Sequence, residues 1–152
     1  MVARRVASAA AALVVVLAAV GAVRAGIVRV AHLSPDAPAV EVRVDGHVVV
    51  SSLSFGELSG YLGPLPRGTY HVQVSPAGSA TPVVIDAQVQ VGATDVLTVA
   101  AEGLLSGEPA LGAQVYTDFE KQLDPSAFVR FVHASPDAPA VDIAVAKTDT
   151  VL

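Results

Sequence analysis

The chain contains no cysteine and no tryptophan. No disulfide can staple it, and no thiolate can ligate zinc or serve as a nucleophile. A lipid-anchored lipoprotein is excluded too, because that anchor needs a cysteine after the leader. Only 5% of the residues are aromatic, so rings for stacking a sugar or a base are scarce. Basic residues are also few, with nine Lys and Arg against fourteen Asp and Glu. A phosphate backbone attracts the opposite balance, so nucleic-acid binding is not expected. No polybasic stretch exists to hold an anionic membrane surface. Long apolar runs are missing as well, with one exception at the start.

Arg4 and Arg5 precede an uninterrupted run of apolar and small residues from Val6 to Val23, centred on Leu13-Val14-Val15-Val16-Leu17. The run closes in Val23-Arg24-Ala25. Charge, apolar stretch and small residues in that order form the pattern of a secretory signal peptide, expected as a helix over residues 1–25. Cuts after Ala25 and after Ala22 both fit. An uncleaved membrane anchor is the alternative, since the run approaches the ~18 residues a spanning helix needs. The pair Arg4-Arg5 lacks the polar and aromatic neighbours of a twin-arginine export signal. Cleavage after Ala25 removes Arg4, Arg5 and Arg24, leaving six basic residues against fourteen acidic, a net charge of −8. The remainder is long enough to bury roughly two thirds of its unfolded surface and to hold without disulfides.

Beyond residue 25 the apolar period is two. Val40, Val42 and Val44 alternate with Glu41 and Arg43, Tyr70, Val72 and Val74 with His71 and Gln73, and Val89 and Val91 with Gln88 and Gln90. Such segments have one buried and one wetted face, as strands do. Asp45-Gly46 is a two-residue hairpin signal. Gly63-Pro64-Leu65-Pro66-Arg67-Gly68, Pro76-Ala77-Gly78-Ser79 and Gly92-Ala93-Thr94 read as loops. Strands are expected near 27–33, 39–45, 47–52, 57–62, 69–75, 82–91, 95–101, 111–117, 127–133 and 140–146. The polar segment from Thr117 to Ser126 suits a linker or a short helical turn. Many short strands at this spacing predict an all-β fold, an antiparallel immunoglobulin-like or transthyretin-like β-sandwich. Val44-Asp45-Gly46-His47-Val48 followed by Leu65-Pro66-Arg67-Gly68-Thr69-Tyr70 also resembles transthyretin-like and prealbumin-like extracellular modules.

One motif occurs twice. Val28-Arg29-Val30-Ala31-His32-Leu33-Ser34-Pro35-Asp36-Ala37-Pro38-Ala39-Val40 returns 101 positions later as Val129-Arg130-Phe131-Val132-His133-Ala134-Ser135-Pro136-Asp137-Ala138-Pro139-Ala140-Val141. A repeat points to a chain built from copies of one unit. Residues 26–126 are expected to form the main sandwich. Residues 127–152 then begin a second, truncated copy, or alternatively supply closing strands to the first.

His32, Ser34 and Asp36 invite a hydrolase reading. A triad needs the base between the nucleophile and the orienting acid, and Pro35 separates Asp36 from the strand. The alternative is a structural corner. Pro35 and Pro38 fix the turn, Ser34 and Asp36 satisfy loop backbone, and His32 bonds across it. His133, Ser135, Pro136, Asp137 and Pro139 repeat the arrangement. For a metal, His32 with Asp36, or Asp36 with Asp45 and Glu41, are the available groups, without the spacing of a known site. His47 and His71 fall on outward strand positions and read as solvated. For a glycan, Tyr61 and Tyr116 are the possible platforms, whereas Tyr70 and Phe131 fall on core positions. No cofactor is expected.

His32 to Val42, Phe55-Gly56-Glu57-Leu58-Ser59-Gly60-Tyr61 and Pro66-Arg67-Gly68-Thr69-Tyr70 resemble a bacterial exported family catalogued as domain of unknown function DUF4397, and His133 to Ile143 matches its opening motif again. The resemblance spans roughly residues 27–146. It implies a secreted or cell-surface β-sandwich, often in tandem copies, with no activity or catalytic residue attached. The expectation is an exported, non-catalytic module with a structural or interaction role in the bacterial cell envelope or secretome. Its partner is an envelope protein or a glycan, and it meets a membrane only through an uncleaved leader. A glycan- or ligand-binding module is the first alternative, and a small hydrolase using His32, Ser34 and Asp36 the second.

Overall fold

The computed structural model describes residues 25–118 and 129–144. The expected leader helix and most of the polar segment from Thr117 to Ser126 therefore lie outside the described residues. Eight strands are present: β1 Gly26–His32, β2 Val40–Val44, β3 His47–Leu53, β4 Leu62–Leu65, β5 Gly68–Pro76, β6 Ile85–Val91, β7 Val96–Glu102 and β8 Gly112–Asp118. They form two four-stranded sheets, ordered β4-β1-β7-β8 and β3-β2-β5-β6. Among the described residues there is no helix.

The alternation in the sequence decides which faces meet. Val40 and Val42 of β2, Val72 and Val74 of β5, and Ile85, Val89 and Val91 of β6 are buried in one core cluster with Val28, Val30, Leu97 and Val99 of the facing sheet. The outward residues are polar. His71 and Gln73 of β5 both bond to Asp86 of β6, at 2.7 and 2.9 Å. His71 is thus paired rather than isolated. Its contact, after the bond from Gln73, holds the Asp86 carboxyl below the ordinary aspartate value. The β2–β3 turn has Asp45 and Gly46 both at positive φ, 48° and 81°, as a type I′ hairpin requires.

The sandwich is antiparallel except at the centre of the first sheet, where β1 and β7 run parallel from Ile27↔Val96 to His32↔Ala101. After β1 the chain crosses to the other sheet, lays down β2 and β3, and returns for β4 on the outer side of β1. It crosses again for β5 and β6 and comes back with β7 in the direction of β1. Sequence alternation carries no information on that direction.

Four expected strands are corrected. Residues 57–62 form no strand, only a bridge between Leu58 and Ala31, and β4 begins at Leu62. The Ser59 hydroxyl and amide occupy the Val30 backbone instead, each at 2.8 Å. β4 itself holds Pro64, which donates no N–H and suits only an edge. The strand placed at 82–91 starts only at Ile85, after Pro82. The segments 127–133 and 140–146, within the described residues 129–144, carry no strand ladder. Phe131, expected in the core, is 55% exposed for that reason.

The core is made of valine, alanine and a few leucines. With no tryptophan and only a half-buried Tyr70 at its margin, it is not filled. An apolar hollow of about 70 Å³ lies between the sheets, lined by Val28, Val30, Leu62, Leu65, Tyr70 and Val99 among others. Its lining offers water no polar partner.

Candidate functional site

The first corner lies where β1 leaves its sheet. His32 closes the strand and is wholly buried, as is Ser34. Its backbone is held on both sides, His32 N to Glu57 O at 3.0 Å and Gly56 N to His32 O at 2.8 Å. Its ring meets Phe55 edge to face, with centroids 6.4 Å apart. Nε2 donates to Pro38 O at 3.0 Å and Nδ1 accepts from the Ser34 amide at 3.3 Å, an arrangement that places the ring hydrogen on Nε2. Both ring nitrogens are engaged with backbone.

The Ser34 hydroxyl donates to Asp36 Oδ1 at 3.2 Å, not to His32. The carboxylate of Asp36 also accepts the amides of Leu105 at 2.8 Å and Ser106 at 3.0 Å, in the loop after β7. Asp36 therefore ties the β1–β2 corner to a distant loop rather than satisfying its own. The Leu105 amide first, then that of Ser106 and the Ser34 hydroxyl, hold the carboxyl below the ordinary 3.8 of an aspartate, against slight desolvation. Pro35 and Pro38 frame the turn, and Ala37 between them is buried.

That depressed pKa sets an acid dependence. The folded state favours the carboxylate more than the unfolded chain does, so its stabilisation is complete above the ordinary value and fades as pH falls through the depressed one. Asp36→Asn should melt below wild type at neutral pH, with the gap closing in acid. Thermal melts from neutral pH to about pH 2 measure this, and a gap unchanged across that range rejects the role of the carboxylate.

The second corner repeats the geometry in a different setting. His133 Nε2 donates to Pro139 O at 3.0 Å, and the Ser135 hydroxyl donates to Asp137 at 2.9 Å. Pro136 and Pro139 frame it as Pro35 and Pro38 frame the first. His133, Ser135 and Asp137 are exposed where His32 and Ser34 are buried. A cleft of about 480 Å³ separates the corners, lined by Leu33, Pro35, Phe55 and Leu104 on one side and Ala134 to Asp137 on the other.

The remaining sequence candidates are scattered. Asp45 sits at the far end of β2 from Asp36 and accepts the His71 amide at 3.0 Å. Glu41 pairs with Arg43 on the outward face of β2. His47 is exposed and its ring bonds to Asp45 O, at 3.0 Å. Among the described residues no three of His, Asp and Glu gather into one cluster. Arg29 lies over the Tyr61 ring at 5.1 Å and Arg130 over Tyr116 at 5.7 Å, so each ring has one face covered. Tyr116 also donates to Glu102 at 3.0 Å, and burial first, then that bond, raises its phenol pKa.

Sequence reasoning missed Asp118. Its carboxylate gathers Arg130 at 2.8 Å and Arg29 at 3.7 Å, one arginine from each motif copy. The conserved spacing of Arg29 and Arg130 within the repeat was the only available signal, and nothing local to Asp118 marks it. A family model described as "Domain of unknown function (DUF4397)" matches residues 26–144, a span that takes in both corners. No curated protein matches the chain at a significant level.

Proposed function

The chain belongs to the DUF4397 family, and on that premise we propose an exported, non-catalytic β-sandwich module with a structural or interaction role in the bacterial envelope or secretome. The observation that carries the non-catalytic reading is the hydrogen bonding of the corner. A general base needs a free ring nitrogen facing the nucleophile, and His32 spends one on Pro38 O and the other on the Ser34 amide. The Ser34 hydroxyl donates its hydrogen bond to Asp36. The same bonds suit a rigid joint that holds two sheets and a distant loop together. Export is supported by the arginine-led apolar stretch to Val23 and the small residues after it.

Expressed with its own leader in a bacterial host, the chain is expected outside the cytoplasm with a new N terminus at Gly26 or Val23. Recovery in the cytoplasm with residues 1–25 intact would remove the export reading. The secreted material is expected to turn over no chromogenic ester or glycoside. Turnover that disappears in a folded Ser34→Ala variant would put the hydrolase reading first.

A further inference from the structure

We propose that residues 129–141 act as a spare first strand: they enter the β1 position of a second copy of this chain, beside its β7, and join copies by strand exchange. Ten of the thirteen positions from Val28 to Val40 are identical in Val129 to Val141. The corner in each is closed by the same two bonds, His Nε2 to proline O at 3.0 Å and serine to aspartate at 3.2 or 2.9 Å. The second segment is therefore already shaped for the position, and less ordering is needed on docking.

What differs is burial. Val28, Val30 and Val40 are 7, 6 and 3% exposed, and their counterparts Val129, Phe131 and Val141 are 71, 55 and 56%. An apolar face with the alternation of a core strand lies open to water. Covering it is favourable by about 25 cal/mol per Å² of apolar surface.

The β1 position fits the newcomer residue by residue. Val30 lines the hollow of about 70 Å³ between the sheets. Phe131 falls at that register, and its side chain is about four carbon atoms larger than valine, an excess of the same order as the void. Arg130 takes the place of Arg29, whose partners are Thr98 and Asp118. Asp118 already accepts Arg130 within the chain. Asp137 takes the place of Asp36, with the Leu105 and Ser106 amides as its partners. Val132 replaces Ala31 on the outward side, beside a recess of about 180 Å³ that Val132 itself now helps to line. The register β7 offers is parallel, Leu97 beside Val28 and Val99 beside Val30. Because residues 129–141 of one copy take the position of β1 in another, the event is a strand replacement, in which the acceptor's own β1 is displaced, and not a trade of identical elements.

The absence of cysteine makes the test clean. A copy with Val129→Cys and a copy with Leu97→Cys are unfolded together, refolded and oxidised. Adjacent strand positions fall within disulfide reach. Leu97 is buried, so the mixed dimer forms only if Val129 enters the position of Val28. Non-reducing electrophoresis is expected to show that mixed dimer, and Phe131→Asp on the Val129→Cys copy is expected to abolish it. Phe131→Asp leaves the monomer fold unchanged, as the ring is exposed. Absence of the mixed dimer, or its persistence with Phe131→Asp, overturns the proposal. Sedimentation of the cysteine-free chain after the same refolding gives a second reading. Dimers or larger species that vanish with Phe131→Asp support exchange, and a monomer throughout rejects it. A raised melting temperature for Val30→Phe supports the fit of the ring in the hollow, and a lowered one rejects it. Purified chain suffices, so the result is independent of whether the protein is exported.

Discussion

His32→Ala should cost about 3 kcal/mol of folding stability, and His133→Ala less than about 0.5 kcal/mol. The two histidines occupy the same place in the same motif and make the same bond to a proline carbonyl. The difference is the surroundings. Removing the His32 ring opens a cavity in a wholly buried site and leaves the buried Ser34 amide without its partner. An orphaned buried amide costs about 1–3 kcal/mol, and the lost packing adds to it. His133 is exposed, so water replaces whatever the ring gave up. Urea denaturation of the two variants measures both numbers. Equal losses would mean that the corner stabilises locally, through its own turn, and not through the core that surrounds it.

Gly103→Ala is expected to be the most damaging single-methyl change, at about 3 kcal/mol or more. Gly103 has φ at 93°, and an added Cβ would come within 2.5 Å of Ala110 O and 2.8 Å of Pro109 O. Backbone carbonyls cannot swing aside as a side chain can. The two strands of this loop are pinned there, Leu104 N to Pro109 O and Leu111 N to Leu104 O, both at 2.8 Å. The damage reaches the corner, because two and three residues on lie Leu105 and Ser106, whose amides hold Asp36. Gly56→Ala is the control. Its φ is 82°, with nothing within 4 Å of the added methyl, so only the backbone term of about 1–2 kcal/mol applies. If Gly103→Ala is no worse than Gly56→Ala, the close approach of the loop is wrong. The acid dependence assigned to Asp36 should also weaken in Gly103→Ala.

The fold class was legible because its signal is local. Apolar residues, mostly valine, at every second position of β2, β5 and β6, and Asp45-Gly46 between β2 and β3, each specify their structure within a few residues. What escaped was set by distance along the chain. Nothing near Asp36 announces Leu105, and nothing near Arg29 announces Asp118. The parallel pairing of β1 with β7 has no sequence signature at all. Segment 57–62 shows alternation, yet the serine at 59 diverts it by bonding Val30 with its side chain. Phe131 reads as core because its pattern is that of Val30, and pattern alone does not show whether a partner sheet is present.

The parallel pair has a consequence for the order in which the molecule is built. The second sheet closes through neighbours in sequence, β2 with β3 and β5 with β6, and can zip up as soon as residues 40–91 are free to fold. The first sheet closes less locally. Its oldest strand in synthesis, β1, can meet β4 early, but its other edge waits for β7, whose first pairing joins Ile27 to Val96. Long-range pairings close late, because loop entropy is lost before contacts reward it. The β7 edge of β1 is thus made first and covered late, and until then the place beside β7 is open. In that interval residues 28–40 of one chain and 129–141 of another are rivals for one vacant place, and local chain concentration, not final stability, decides which arrives.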